Sequence, residues 1–178
     1  MSKALFLDRD GIINLDHGYV FQKENFDFVE GIFELCRLAA DKGYEIIVIT
    51  NQAGIARGYY QIADFETLTQ WMKLEFKHKG IYIKDVFYCP HHPTKGNNEY
   101  RMECQCRKPK PGMILSAQEK HGIDLKQSIF IGDKVSDMQA AEAAGIHNRI
   151  LVTSQYDDDG STQAHRVADL KAAMSFID

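Results

Sequence analysis

The chain begins Met1-Ser2-Lys3-Ala4-Leu5-Phe6-Leu7-Asp8-Arg9-Asp10-Gly11, and the fold is read outward from this stretch. Residues 4–7 form a short continuous apolar run, the pattern of a strand buried on both faces. The run stops at two carboxylates and a glycine, residue types that favour a tight turn. A buried strand that delivers charged groups at its carboxyl end fits an open parallel sheet, where ligands bind along that edge.

Comparable apolar runs recur at 45–49, 86–88, 129–131 and 150–152. Helical patterns lie between them. Ile32, Leu35, Cys36 and Ala39 fall at helical spacing before Gly43, and Phe65, Leu68, Met72 and Phe76 line one face of a helix with Asp64 as its expected N-cap. Further helices are expected at about 112–122, 138–144 and 167–177, with an exposed loop over 155–164. Strands alternating with helices predict an α/β fold: a doubly wound, mostly parallel sheet flanked by helices, in a single domain over 1–178.

Composition narrows the function. An apolar fraction of 44% and a charged fraction of 26% belong to an ordinary globular chain. A net charge of -4 lacks the basic footprint of a nucleic-acid binder. No apolar run approaches the roughly 20 residues that span a bilayer, and the N-terminus is too short in apolar residues for a signal peptide. A cytoplasmic address follows, with no nucleic-acid or membrane partner. No apolar helix is left over for an interface, so a monomer is expected.

Chemistry concentrates in four segments. Asp8 and Asp10 can divide the labour of nucleophile and acid/base at a strand end, although Asp-x-Asp-Gly is also an ordinary turn. Thr50, followed by Asn51, Gln52 and Ala53, offers a hydroxyl and backbone N–H groups to phosphate oxygens. Cys106-Arg107-Lys108-Pro109-Lys110-Pro111-Gly112 sets three cations on a stiffened chain before a helix N-terminus, which itself favours anions. Gly132-Asp133-Lys134 and Asp137 supply hard oxygen ligands of the kind Mg²⁺ takes.

The cysteines carry a second signal. Cys89, Cys104 and Cys106, with His91 or His92, make a closed set of three thiolates and an imidazole, the structural Zn²⁺ type. Spacing alone does not choose between the two histidines. In a reducing cytosol these cysteines are not read as disulfides, and Cys36 is a core residue on a helix face. The zinc-binding loop covers about 89–110.

In this order the four segments resemble the haloacid dehalogenase phosphohydrolases, whose motifs are Asp-x-Asp, Thr or Ser, Lys, and an acidic pair. Asp16-His17-Gly18-Tyr19-Val20, the run from Thr50 to Gly58, and Cys89-Pro90-His91-His92-Pro93 extend the likeness. They are similar to the histidinol-phosphatase-like branch, with a zinc loop in place of a large cap, and within it to the heptose 1,7-bisphosphate phosphatase family.

The resemblance implies an Mg²⁺-dependent phosphatase. Asp8 would be the nucleophile, Asp10 the acid/base, and Thr50 and Lys108 the ligands of the phosphoryl oxygens. Asp8, Asp133 and the Asp10 carbonyl would hold Mg²⁺, and Asp137 would orient that shell or Lys134. It favours His91 over His92 for structural zinc. It implies a phosphorylated sugar substrate bound by Asp16, His17, Gly18, Tyr19, Asn51, Gln52, Ala53, Arg107 and Lys134, with Arg57 or Lys110 as further cations for a remote phosphate. Two departures are visible: Ile12 where the family commonly has Thr, and Ala53 where it often has Ser. Histidinol phosphate and small phosphorylated metabolites in general are the alternative substrates. A catalytically dead binding protein is the alternative class, against which the intact catalytic set counts.

Overall fold

The computed structural model describes residues 1–178. Six strands form one sheet: β1 (Lys3–Leu7), β2 (Tyr44–Asn51), β3 (Ile83–Cys89), β4 (Ile129–Gly132), β5 (Asn148–Val152) and β6 (His165–Val167). Their order is β3-β2-β1-β4-β5-β6, and every pairing is parallel. Four helices lie between strands, α1 (Ile32–Asp41), α2 (Ile62–His78), α3 (Gly112–His121) and α4 (Val135–Ala144), and the short α5 (Leu170–Ala173) follows β6.

Alternation along the strands explains the two layers. Leu5, Leu7, Ile46, Val48, Ile129 and Ile131 pack with α1, α2 and α5 in one core cluster. Ala4, Phe6, Ile47, Ile49 and Phe130 face the other way and pack with α3 and α4. Each fully buried side chain of this size contributes about 1.5–3 kcal/mol by leaving water. The central strands are apolar on both faces, so they read as continuous runs.

Three expectations need correction. Asp64 is not the N-cap of α2: the helix starts at Ile62 with Gln61 as its cap, and Asp64 reaches back from the third position to accept the Gln61 N–H at 2.8 Å. A carboxylate serves the open N–H groups of a first turn from either place. The terminal segment is not one helix from 167. Val167 closes strand β6, and only Leu170–Ala173 is α-helical, followed by a 3₁₀ turn at Met174–Phe176. Strand β3 is also longer than 86–88, beginning at Ile83.

The strand order reverses about β1, whose neighbours are β2 and β4. The connections leave to opposite faces there, opening a crevice at the carboxyl edge. Asp8 follows β1, Thr50 and Asn51 end β2, and Asp133 follows β4.

Candidate active site

Lys108 is the centre of the crevice. It is 4% exposed, and its Nζ lies 2.9 Å from Asp8 Oδ1, 2.7 Å from Asp137 Oδ1 and 2.9 Å from the Ile49 carbonyl. Asp8 Oδ1 also accepts the Arg9 N–H at 2.9 Å. Both hydrogen bonds to Asp8 thus fall on one oxygen.

Asp137 caps α4 and serves the site at once. Its Oδ2 accepts the N–H groups of Asp133 and Lys134, each at 3.1 Å, while Oδ1 faces Lys108. The side chain pairs with the Lys108 ammonium and meets Lys134 only through the backbone. Two glycines make room for this. A Cβ at Gly11, where φ is +93°, would lie 2.1 Å from Asp133 Oδ2, and one at Gly132 would lie 2.5 Å from Asp137 Cβ.

Asp8, Asp133 and Asp137 bring their carboxylate oxygens within 4.8 Å of one another, all buried. Three carboxylates face one ammonium. Burial, the Asp137 charge and Asp10 push the Asp8 carboxyl up to about 6, against the pull of Lys108. Burial and the charges of Asp8 and Asp137 push Asp133 up to about 9. Asp133 Oδ1 is buried without a hydrogen-bond partner, and the Asp10 carbonyl accepts no backbone hydrogen bond. Hard, unsatisfied oxygens beside excess negative charge fit a divalent cation such as Mg²⁺.

Asp10 differs. Burial works to raise its carboxyl, but the Arg9 charge and hydrogen bonds from Asn14 and Arg9 prevail and hold it below its usual range. Arg9 itself is 2% exposed and bonds Asp10 Oδ1 at 2.8 Å and the Val20 carbonyl at 2.7 Å. Gln52 connects the second motif to this pair: its Nε2 donates to Thr50 Oγ1 at 2.9 Å and Asp10 Oδ2 at 3.3 Å, and its Oε1 accepts from the Tyr60 hydroxyl.

Two cavities meet here. One, of about 340 Å³, is lined by Asp8, Asp10, Lys108, Lys134, Ser136 and Asp137, among others. The other, of about 250 Å³, is lined by Asp16, Gly18, Tyr19, Gln52, Ala53, Arg57, Tyr60 and Tyr156, among others. Asp10, Asn51, Arg107 and Lys134 line both. Asn51 holds the Lys108 main chain, accepting its N–H at 3.0 Å and donating to its carbonyl at 3.3 Å. His17 lines neither cavity and lies at the surface, its Nε2 2.8 Å from Asp27 Oδ2. Ile12 is fully buried in the core. A larger recess of about 730 Å³ opens beyond Asp133, but Glu30, Glu34 and Asp169 at its wall disfavour an anionic ligand.

The cysteine loop gathers as its spacing suggests. Cys106 Sγ lies 2.8 Å from Cys89 Sγ, 3.4 Å from Cys104 Sγ and 3.4 Å from His91 Nδ1. His92 is the wrong histidine for this set, because its Nδ1 accepts the N–H groups of Thr94 and Lys95 at 3.1 and 3.0 Å. The four donors fit a structural Zn²⁺. Hydrogen bonding with Cys89 outweighs burial and, with Cys104 and His91 beside it, brings the Cys106 thiol down to about 5.

Sequence reasoning did not single out Arg9, Tyr60, Tyr156 or Ser136. Arg9 carried a signal, an arginine locked between two carboxylates; the others depend on contacts that no local pattern encodes.

A carboxylate at a strand end, a second two residues on, a buried lysine and an acidic pair on a parallel sheet flanked by helices define a phosphatase of the haloacid dehalogenase class, and residues 105–174 match the HAD-hydrolase-like family model. The chain is 50% identical over 149 residues to the D-glycero-β-D-manno-heptose-1,7-bisphosphate 7-phosphatase of Vibrio cholerae serotype O1, covering 84% of this chain and 80% of that one, and 43% identical over 177 residues to the Escherichia coli K12 protein of the same name, covering 96% and 93%. It belongs to the D-glycero-β-D-manno-heptose-1,7-bisphosphate 7-phosphatase family. The crystal structure of D,D-heptose 1,7-bisphosphate phosphatase from B. bronchiseptica, complexed with magnesium and phosphate, superposes with a TM-score of 0.83 at 28% identity, covering 97% of this chain and 96% of that one.

Proposed function

We propose that the protein removes the 7-phosphate of D-glycero-β-D-manno-heptose 1,7-bisphosphate, leaving heptose 1-phosphate for cell-surface polysaccharide synthesis. The observation that carries this reading is the pair of joined cavities, with Lys134 and Arg107 between them and Arg57 in the further one. Arg57 lines the further cavity and its Nε has no partner within the protein, which leaves its guanidinium to turn toward a second phosphate. Histidinol phosphate has one phosphate and a cationic amine, which Arg57 and Arg107 would repel.

The steps follow from the residues. Asp8 attacks phosphorus, an Asp8–phosphorus bond forms as the bond to the sugar oxygen breaks, and Asp10 gives that oxygen its proton. Water then attacks the aspartyl phosphate, Asp10 takes its proton, and phosphate leaves with Asp8 restored. The low position of Asp10 in the free protein suits the second half; the arriving phosphate dianion raises it for the first. Thr50 and Lys108 hold the phosphoryl oxygens. Asp8, Asp133 and the Asp10 carbonyl would hold Mg²⁺, which supplies charge neutralisation between carboxylate and phosphate. Asp16, Gly18, Tyr19, Gln52 and Ala53 line the sugar side; His17 joins only if its loop turns inward.

Zinc at Cys89, His91, Cys104 and Cys106 holds the loop that ends at Lys108, two residues past Cys106. A set of zinc-binding thiolates fits a reducing, cytoplasmic address. Cys106→Ser is expected to lose its bound zinc, measured by elemental analysis, and to lower kcat more than about tenfold in excess Mg²⁺. Wild-type protein that carries no zinc yet turns over at the same rate as zinc-loaded protein would remove this role.

The deciding assay compares kcat/KM, with Mg²⁺, for both anomers of heptose 1,7-bisphosphate and for histidinol phosphate. The β-bisphosphate should lead by at least about a hundredfold, roughly the worth of a second charge-assisted phosphate contact set. Equal turnover of histidinol phosphate would overturn the substrate.

A further inference from the structure

The loop after β5 walls one side of the second cavity, and none of the phosphoryl chemistry uses it. Tyr156 stands in that wall. Its hydroxyl donates to Asp16 Oδ2, joining positions 140 residues apart, while Asp16 Oδ1 accepts the Gly18 N–H at 3.0 Å. Asp16 is therefore gripped on both oxygens. The Tyr156 ring lies under Lys134, with Nζ 4.4 Å from the ring centroid. The loop is tied down in turn: the Tyr156 N–H donates to Ser154 Oγ at 3.1 Å, and Ser154 Oγ donates to the Asp133 carbonyl at 2.9 Å.

Each contact acts on an anionic substrate in the same direction. A lysine ammonium on its flexible stem is a poorly aimed charge, and an aromatic face fixes where it sits. Lys134 lines both cavities, so its position sets the path between the two ends of the substrate. The phenol hydrogen bond spreads the Asp16 charge, which would otherwise repel a phosphorylated sugar at the cavity wall. We infer that Tyr156 is a specificity-determining residue, which holds Lys134 and Asp16 for the non-reacting part of a phosphorylated sugar. This rests on the bisphosphate reading above.

The test is the ratio of kcat/KM for heptose 1,7-bisphosphate to kcat/KM for p-nitrophenyl phosphate, which needs only the cavity at Asp8. Tyr156→Phe, which keeps the ring and loses the hydroxyl, should lower the ratio about fivefold. Tyr156→Ala, which loses both contacts, should lower it about thirtyfold, chiefly through KM for the bisphosphate. An unchanged ratio in both variants, whether the two activities hold or fall together, would overturn the inference and leave Tyr156 as loop structure. Wild-type protein that cleaves p-nitrophenyl phosphate but releases nothing from the bisphosphate would sink the substrate reading, and this inference with it.

Discussion

Asp8→Asn is expected to lower turnover by about four orders of magnitude or more while the protein stays folded, since an amide cannot form the aspartyl phosphate. The environment of Asp8 says why the fold should survive. The amide oxygen can still accept from the Arg9 N–H and the Lys108 ammonium, which both bond one oxygen of the native carboxylate. The charge that is lost is a burden without a cation. Burial and Asp137 raise the Asp8 carboxyl to about 6, above the value near 3.8 of an unburied aspartate. A raised carboxyl means that the fold prefers the proton, so ionisation costs stability progressively as pH rises from about 4 to about 6, and the cost stands in full at pH 7. The neutral amide escapes it. Melting of the Mg²⁺-free proteins at pH 7 should therefore place Asp8→Asn at or above wild type, and an Asp8→Asn protein within tenfold of wild-type kcat would refute the nucleophile.

How much of this could be read from the chain follows from where the determinants lie. Asp8, Thr50 and Asp133 were legible because a buried parallel strand is a continuous apolar run, and a polar residue at its end stands out. The cysteine loop was legible because three thiols and an imidazole at short spacing are a donor set with few uses besides a metal. His91 and His92 are adjacent in sequence, so only the hydrogen bonds to His92 from Thr94 and Lys95 separate them. Strand β6 was hidden because His165 and Arg166 are exposed and only Val167 is buried, which leaves no apolar run. Asp64 was misplaced by three residues because Asp suits either end of a capping box. The partner of Asp137, the Tyr60–Gln52 bond and the Tyr156–Asp16 bond are tertiary contacts, and no window of sequence contains both ends.

Lys108→Ala should damage both fold and activity. Burial alone would lower the Lys108 ammonium, but the charges and hydrogen bonds of Asp137 and Asp8 outweigh it and raise it above its usual range. A raised lysine contributes stability that is fully present below its ordinary value near 10.5 and is lost only as pH climbs past it, so at pH 7 the whole contribution is in place. Truncation strands the Asp8 and Asp137 carboxylates in a buried site and leaves the Ile49 carbonyl without its donor. Breaking a buried pair by removing one partner costs about 3–5 kcal/mol, which for a domain of this size lowers Tm by roughly 10 °C. Loss of the cation proposed to hold the phosphoryl oxygens should cost about 10³ in kcat/KM besides. Arginine is no substitute, because Nζ makes three contacts of 2.9 Å or less as a compact point donor, a geometry that a planar guanidinium does not reproduce. Asp137→Asn separates the two effects: it relieves one carboxylate and keeps the α4 cap oxygen, so it should restore much of the stability of Lys108→Ala and none of its activity. If the double variant melts no higher than Lys108→Ala, the stability loss does not come from stranded charge; if Lys108→Ala keeps wild-type kcat/KM, the lysine does not face the reacting phosphate.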